Sequence, residues 1–487
     1  MNLTQEFIQK IAALFPAKSG QRELRVTSDL LLDGISVAAL GSTEPGPQIL
    51  SSMAHDADQS TGATIIKVDR RVTVESAALV NGAAMHVLDY EPMWNPANHS
   101  LSTTLPALLA LSEVLLRSEK AAFQSTINGE RILRALAMGI EVQERLRTAS
   151  GQFEPGDLVF HPPSTVGPLG SAVACGLLMG LTQEQLVNAI GIAGSMAGGL
   201  QGNIGSMTKA LHCGKAAANG VQAALLARQG FTSDMDAIGG PRGYGTAFFG
   251  AAFDPTKLLE PKADLHVVNP GPAYKLYPSQ YGTHFVIEAA LMAREQLSNP
   301  QDIRNVTIVS PPMPYVDRPA PATGLAGKFS FQYVAAVALI DGEISVDSFS
   351  DKRRFSEDVE KLLTLITIRP DPARKGRFDE MKVDVVVELI DGQMCSGTCD
   401  GPPGIWGRPA DLAKLETKSK DCLHRAFGEA RANEIMHQSR QFVSFDADDL
   451  LTFISDALAS DEAPETDHSA RYRALADALC ALSEPPF

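Results

Sequence analysis

Two histidines stand in loops where an imidazole could transfer protons. His99 follows a predicted helix and a loop that Pro92 and Pro96 impose, and catalytic side chains are often found in such loops. His161 precedes two prolines, which hold its backbone rigidly. Neutral imidazole titrates near working pH, so either side chain could be a general acid or base. A capping or packing role for His99, and a merely structural loop around His161, are the alternative interpretations.

Basic side chains could form a pocket for a small anion. Lys209 follows a glycine-rich stretch and shares a helix face with His212, three residues later. Lys275 and Tyr315 lie at the predicted junction between two domains, where clefts form. With Arg145 and several histidines, these lysines would make a positive pocket that suits a di- or tricarboxylate. Solvated junction loops and a lysine that extends its ammonium group into solvent are the alternatives.

The common cofactor motifs are missing from this sequence. It has no P-loop, no dinucleotide-binding glycine pattern after a strand, and no nucleophile elbow. The histidines are scattered without the spacing of a zinc site. We therefore predict no metal and no organic cofactor. Proton transfer on a small polyanion is the chemistry that remains.

Composition excludes several classes of protein. The chain has 487 residues with 42 basic and 57 acidic side chains, so its net charge of −15 disfavours a nucleic-acid partner. The first residues include Glu6 and no basic segment, which argues against a signal peptide. The apolar stretches fall short of the roughly 20 residues that a membrane span requires. We predict a cytoplasmic protein with free thiols, and the charged fraction of 20% suggests a surface covered by a second subunit.

Hydrophobic periodicity predicts a mainly α protein. Apolar residues at helical spacing predict helices over residues 21–40, 73–90, 105–117, 129–147, 171–179, 183–196 and 209–229. β-Branched runs predict strands at 303–309 and 382–390, and Asp391-Gly392 predicts a hairpin turn into 393–397. Further helices are predicted at 284–296, 330–340, 410–427, 431–436 and 446–459. The simplest architecture is a large all-helical domain built from both chain ends, residues 1–265 and 410–487. A smaller α+β lid domain, residues 270–405, would be inserted between them.

Four segments resemble the MmgE/PrpD family. They begin Asn81-Gly-Ala-Ala-Met-His-Val-Leu-Asp-Tyr, His161-Pro-Pro-Ser-Thr-Val-Gly-Pro, Thr208-Lys-Ala-Leu-His-Cys-Gly-Lys and Lys275-Leu-Tyr-Pro. Motif order and spacing agree over nearly the whole chain. Further runs, including Tyr315-Val-Asp-Arg-Pro, are similar to the animal-type cis-aconitate decarboxylases of that family. The resemblance implies the two-domain fold described above, a homodimer, and an active site between the domains that uses no metal.

The resemblance also implies which residues meet the substrate. The residues that match the decarboxylase pocket are Asp89, His99, His161, Lys209, Lys275 and Tyr315. We expect His99, Lys209, Tyr315 and Asp89 to be catalytic, and His161, Lys275, Gln280, Met93, Arg145 and His212 to bind substrate. Met93 stands where the decarboxylases have threonine, and Gln280 where they have histidine. Both changes lower the hydrogen-bonding or charging capacity of the pocket and allow a smaller, less charged or more apolar substrate.

The leading functional prediction is a cofactor-free lyase of small polycarboxylates, of the cis-aconitate decarboxylase type. A hydro-lyase of the 2-methylcitrate dehydratase type is the second interpretation, and an epimerase or isomerase of a dicarboxylate is the third. A non-catalytic helical dimer that keeps the fold is a fourth. The first three reactions share one difficulty, because negative charge builds on a carboxylate while a bond at its α-carbon breaks or forms. Lys209 and Lys275 would stabilise that charge.

Overall fold

A computed structural model describes residues 1–15, 20–154 and 158–459. The predicted continuation of the helical unit beyond residue 459, with Cys480, lies outside the described residues. The described chain is mainly helical, which confirms the predicted mainly α character. The described cysteines carry free, buried thiols. Within these ranges, no helix combines the length and the apolar character that crossing a membrane would need.

Twelve α-helices precede residue 260 in the described part of the chain. They are Leu3–Leu14 (α1), Gln21–Gly41 (α2), Pro45–Ser52 (α3), Val74–Val87 (α4), Ser100–Ser118 (α5), Lys120–Phe123 (α6), Gly129–Ala149 (α7), Pro162–Met179 (α8), Gln183–Ser195 (α9), Met207–Arg228 (α10), Tyr244–Phe249 (α11) and Thr256–Leu259 (α12). Each periodic segment predicted before residue 260 thus forms a helix, although α5 and α8 begin well before their predicted starts.

The later helices surround or follow a small sheet. They are Tyr281–Arg294 (α13), Gly324–Gly327 (α14), Phe331–Asp341 (α15), Asp351–Arg354 (α16), Glu357–Leu363 (α17), Leu412–Phe427 (α18), Glu429–Gln441 (α19) and Ala447–Thr452 (α20). The strands are Ala63–Thr64 (β1), Arg71–Val72 (β2), Ile303–Ser310 (β3), Ile366–Pro370 (β4), Val383–Leu389 (β5) and Met394–Cys399 (β6).

The larger sheet has the order β4-β3-β5-β6. Strands β3 and β4 are parallel, whereas β5 is antiparallel to both β3 and β6. The Asp391-Gly392 hairpin is confirmed, and Gly392 takes a φ of +87°, a conformation that glycine adopts without strain. The sequence analysis missed β4, a five-residue edge strand that ends at Pro370, and a proline in a short run weakens the strand signal.

Helix α8 begins nine residues earlier than its predicted start at 171. Pro162 and Pro163 occupy its first two positions, where a missing N–H costs nothing. Pro168 lies inside the helix and cannot donate to the Ser164 carbonyl four residues back. The Gly198 N–H donates to that carbonyl instead, at 3.0 Å. The glycine-rich loop is therefore fixed to the N-terminal turn of α8.

Helices α4 and α10 pack with their backbones in contact. A methyl group on Gly214 of α10 would lie 2.1 Å from the Leu79 carbonyl oxygen of α4, so only glycine fits there. Gly82 of α4 likewise faces the Gly214 backbone, and a methyl group on Gly82 would lie 2.8 Å from the Gly214 Cα. This close approach brings the C-terminal end of α4, which Asp89 follows, beside the N-terminal end of α10, which carries Lys209 and His212.

The buried apolar residues form two large clusters. The first runs from Phe7 to Val268 and returns with Leu423 to Leu458. The second runs from Ala273 to Ile405 and takes in Met93. The backbones of Met93 and Ala273 exchange two hydrogen bonds, of 3.1 and 2.7 Å. The loop after α4 is therefore attached to the second cluster.

Candidate active site

One cleft, bounded by both apolar clusters, collects most of the predicted site residues. Its walls come from the loop between α4 and α5, the starts of α8 and α10, and the segments around α13 and β3. The space between them is about 520 Å³, including its open mouth. The predicted residues that line it are Asp89, Met93, His99, His161, Lys209, Gln280 and Tyr315.

Asp89 joins two lysines that come from distant parts of the chain. Lys209 Nζ donates to Asp89 Oδ2 at 2.5 Å. Lys275 Nζ donates to Asp89 Oδ1, to the Asp89 backbone oxygen at 2.9 Å and to the Ser279 carbonyl at 3.1 Å. Burial alone would raise the pKa of Asp89, but the two ammonium groups outweigh it and hold that pKa well below 3.8. Asp89 is therefore an anion throughout the physiological range.

The two lysines have different access to the cleft. Lys209 lines it and has donor capacity left after its bond to Asp89. Lys275 is fully buried behind Asp89, and its three acceptors use all of its hydrogens. The structure thus gives Lys275 a supporting position, and Lys209 is the ammonium group available to a ligand.

Glu91 lies between His86 and His99, and sequence reasoning missed it. Its Oε1 accepts from His86 Nδ1 and from Ser102 Oγ at 3.0 Å, and it lies 3.2 Å from His99 Nδ1. Burial would raise the pKa of Glu91, but the two histidines keep it well below 4.5. A carboxylate at this position favours the tautomer of His99 with its hydrogen on Nδ1. The unprotonated Nε2 then lies 3.9 Å from Asp89 Oδ1, on the cleft side.

The backbone around His99 is held by a second buried carboxylate. Asn98 Nδ2 and Ser100 Oγ both donate to Glu144 Oε1, at 3.0 and 2.6 Å. His99 occupies the N-cap position of α5 between these two residues. Burial raises the pKa of Glu144, with the Ser100 hydrogen bond opposing it. The available signal for His86, which contacts Glu91, was a polar residue in the otherwise apolar helix α4. Helix α7 carries several other charged residues, so Glu144 gave no comparable signal.

His161 faces the cleft, and His212 lies behind it. The two Nδ1 atoms are 3.3 Å apart, so one ring donates to the other. Burial lowers the pKa of both histidines, and Lys209 lowers it further. His212 was expected to bind substrate, but it does not line the cleft. Its imidazole contacts that of His161 instead.

Lys328 is a third buried lysine near this site that the sequence analysis did not single out. Its Nζ donates to the Leu88 carbonyl at 2.9 Å and to the Pro278 carbonyl at 3.0 Å. Burial lowers its pKa to about 8. Lys328 therefore ties the loop after α4 to the segment before α13, and so supports Asp89 from both sides.

Arg145 does not reach the cleft, which corrects its assignment as a substrate ligand. Its Nε donates to Glu141 Oε1 at 2.6 Å, and one terminal nitrogen donates to the carbonyls of Leu258 and Glu260. The sequence placed Arg145 correctly on α7 but could not show which face of the buried helix it occupies. Its guanidinium group holds α12 against α7.

Replacing Arg145 with methionine should therefore lower stability and leave substrate binding unchanged. The variant leaves Glu141 with His266 as its remaining partner, and breaking a buried pair costs roughly 3 kcal/mol. Denaturant unfolding and the KM for a polycarboxylate would measure the two effects. A many-fold rise in KM at unchanged stability would contradict this placement.

His86, Glu91 and His99 could also hold a metal ion. Their ligand atoms all lie within 4.8 Å of one another, and two imidazoles with a carboxylate suit a transition metal. The ammonium groups of Lys209 and Lys275 oppose a cation there, since both lower the pKa of His99 by their charge. The predicted absence of a metal stays a prediction.

The protein should lose stability as the pH falls below about 6.5. Burial is the largest cause of a lowered pKa at His86, His99, His161, His212 and His284, with values of about 4 at His86 and about 3 at His284. The unfolded chain, with histidine pKa values near 6.5, therefore binds more protons than the folded chain below that pH. Each such histidine removes up to about 1.4 kcal/mol per pH unit until its folded pKa is reached.

Urea unfolding at pH 7.5, 6.5, 5.5 and 4.5 would measure this slope. The carboxylates of Asp89 and Glu91 have lowered pKa values in the folded protein, so they add to this loss of stability only below about pH 4.5. Replacing His284 with phenylalanine, which can stack on Tyr281 as the imidazole does, should make the slope shallower. A free energy of unfolding that stays constant from pH 7.5 to 5 would rule out buried neutral histidines.

Two family models match most of this chain. The model of the MmgE/PrpD N-terminal domain matches residues 6–256, and the model of the MmgE/PrpD C-terminal domain matches residues 277–441. The chain belongs to the MmgE/PrpD family. The family resemblance of the four sequence segments is thereby confirmed.

Named members of the MmgE/PrpD family cover most of this chain. It is 32% identical to cis-aconitate decarboxylase of Homo sapiens over 426 residues, which are 86% of this chain and 87% of that protein. It is also 32% identical to cis-aconitate decarboxylase of Mus musculus, over 81% of each chain. A 2-methylcitrate dehydratase of Cupriavidus necator is 22% identical over 69% of this chain and 71% of its own.

Proposed function

We propose that this protein is a cofactor-independent lyase that removes CO2 from cis-aconitate or a closely related polycarboxylate. The observation that carries the proposal is the buried Lys275–Asp89–Lys209 bridge at the wall of a cleft, with His99 beside it. The bridge supplies an ammonium group for an anion, and His99 supplies a group that can move a proton. The similarity to two cis-aconitate decarboxylases supports this choice of reaction.

The chemistry of cis-aconitate fits such a site. One of its three carboxylates is on a methylene group next to the double bond. When that carboxylate leaves as CO2, the electron pair of the broken C–C bond moves through the double bond to the carbon beside a second carboxylate. One proton must then be added at that carbon. Lys209 would bind the second carboxylate and stabilise the charge that spreads onto it.

His99 is the proposed proton donor to that carbon. Burial lowers its pKa, so the imidazole is neutral before substrate binds. The negative charges of a bound polycarboxylate would raise the pKa of His99 and favour a proton on Nε2. Glu91 would stabilise the resulting imidazolium through Nδ1. Tyr315 would donate a hydrogen bond to the substrate from the opposite wall.

An apolar wall supports loss of a carboxylate as neutral CO2. Met93, Ile204, Phe329 and Phe378 line the cleft together with the polar residues. A carboxylate held against them is poorly solvated, whereas CO2 is not charged and gains from the same surroundings. Met93, at the position where the family's decarboxylases have threonine, makes this wall more apolar. This favours cis-aconitate analogues that place an uncharged group there.

We further propose the organisation that goes with this activity. Residues 1–265 and 410–459 would form the helical domain, and residues 270–405 would form a lid that closes on substrate and excludes water. The apolar clusters follow this division. A homodimer and a cytoplasmic location complete the proposal.

Proton NMR in D2O with cis-aconitate, 2-methylcitrate, citrate and aspartate-derived dicarboxylates would test the proposed reaction. A decarboxylated product that carries one deuterium from solvent is the expected result. Loss of water instead would identify a hydro-lyase, and deuterium uptake at an α-carbon without loss of either group would identify an epimerase. Binding without any turnover would indicate a protein that has kept the fold and lost the chemistry, and would overturn the proposal.

A further inference from the structure

Gln280 is held in one place by its own backbone. It occupies the N-cap position of α13, just before the first helical residue Tyr281. Its N–H donates to the Lys328 carbonyl at 3.1 Å, and its carbonyl accepts from Thr283 Oγ1 at 2.6 Å. The side chain therefore starts from a fixed point on the cleft wall.

The side-chain amide of Gln280 has only one satisfactory orientation. The Thr283 backbone N–H donates to the Gln280 carbonyl at 2.9 Å and is shared with Gln280 Oε1 at 3.3 Å, so the side chain also caps α13. Gln280 Nε2 donates to the Tyr315 hydroxyl oxygen at 3.1 Å. A flipped amide would direct an NH2 group at the Thr283 N–H, which is a second donor. The helix cap thus decides that an N–H, and not an oxygen, faces Tyr315.

This hydrogen bond decides where the Tyr315 hydrogen points. The phenol oxygen accepts from Gln280, so its own hydrogen must be directed elsewhere. No acceptor for that hydrogen is found among residues 1–15, 20–154 and 158–459, and Tyr315 lines the cleft. Burial raises the pKa of Tyr315, with the Gln280 bond opposing it and Asp89 adding to it, so the hydroxyl stays protonated.

We propose that Gln280 is a positioning residue that turns the Tyr315 hydroxyl hydrogen into the cleft, where it is donated to an anionic oxygen of the substrate. The identity of that substrate rests on the proposed function, whereas the direction of the hydrogen does not. Tyr315 then recognises a carboxylate and does not exchange protons with it. Arg318 Nε donates to the Tyr315 carbonyl at 2.9 Å and fixes the ring's backbone in the same arrangement.

Replacing Gln280 with glutamate reverses the hydrogen bond with little change in shape. One glutamate oxygen can still accept from the Thr283 N–H, and acidic residues are favourable at a helix N-terminus. The other oxygen would accept the Tyr315 hydrogen and withdraw it from the substrate. We expect kcat/KM for the preferred polycarboxylate to fall by about 100-fold, which corresponds to the loss of one charge-assisted hydrogen bond in the cleft. Thermal unfolding should be unchanged or shifted upwards.

A double-mutant cycle separates this effect from simple charge repulsion. A carboxylate at position 280 repels an anionic substrate whether or not the phenol is present. In a Tyr315→Phe background, Gln280→Glu should therefore cost clearly less than it does in the wild type. Equal costs in the two backgrounds would show that only charge repulsion operates, and the proposal would be wrong. Gln280→Met, which neither donates nor accepts, should fall between the wild type and Gln280→Glu.

Neutron diffraction from crystals of the perdeuterated protein tests the proposal without any ligand. We expect deuterium on Tyr315 Oη directed into the cleft, and two deuterium atoms on the Gln280 atom nearest to Tyr315. Deuterium on Tyr315 directed at Gln280 would overturn the inference even if the enzyme is a decarboxylase. If the neutron map shows the expected deuterium positions but the protein turns over no polycarboxylate, the proposed function is refuted and the inference about Gln280 stands.

Discussion

His99→Asn should lower kcat by between about 100-fold and 10,000-fold, the range over which general acid or base catalysis contributes. Asparagine cannot transfer a proton in this pH range, whereas His99 Nε2 lies on the cleft side within 3.9 Å of Asp89 Oδ1. The substitution should not harm the fold. His99 is the N-cap residue of α5 and makes no side-chain capping bond, and asparagine is among the preferred residues at that position.

Steady-state kinetics of His99→Asn, with His437→Asn as the control variant, would check this expectation. His437 is exposed on α19 and lies outside the cleft, so its replacement should leave kcat unchanged. The effect at His99 should be on kcat more than on KM, because the proton is needed in the transition state. A His99→Asn enzyme that keeps full kcat would remove His99 from the mechanism and show that another group supplies the proton.

Asp89→Asn should lower the free energy of unfolding by roughly 3–5 kcal/mol, the typical cost of removing one partner from a buried ion pair. The variant leaves the buried ammonium group of Lys275 without its carboxylate, and Lys209 loses its partner as well. Asparagine is the informative replacement, because Asp89 has a φ of +52° and asparagine tolerates this left-handed conformation. The loss then reports on charge and not on backbone strain.

Urea unfolding of Asp89→Asn and of a triple variant would test that explanation. In the triple variant Lys209→Met and Lys275→Met accompany Asp89→Asn, so that no unpaired ammonium group remains. Replacing a whole buried ionic network by apolar residues is often neutral or stabilising, so the triple variant should regain much of the lost stability. If Asp89→Asn cost less than about 1 kcal/mol, the two lysines would have to find other partners or lose their protons at little cost.

The local structure around the site was largely predictable, and the contacts within it were not. Helical spacing placed Lys209 in the first turn of a helix, and Pro92 and Pro96 placed His99 after a loop, because both signals act within a few residues. Arg145, like Lys209, is a basic residue on a helix that the sequence predicts. Its partner Glu141 is one helical turn away, but the carbonyls of Leu258 and Glu260 that complete its binding come from a helix end more than a hundred residues later.

The sequence by itself determined the mainly helical fold class, the positions of most of the longer helices and of three of the four strands in the larger sheet, and the residue types available for proton transfer. These properties depend on periodicity, capping and side-chain chemistry, which are read from neighbouring residues. Only the tertiary structure decided that Asp89 pairs with two lysines 120 and 186 residues away, and that Glu91 stands behind His99. The glycine contact between α4 and α10 brings Asp89 to Lys209. Which charges neutralise one another depends on which groups are buried in the same small volume, and packing between distant segments sets that volume.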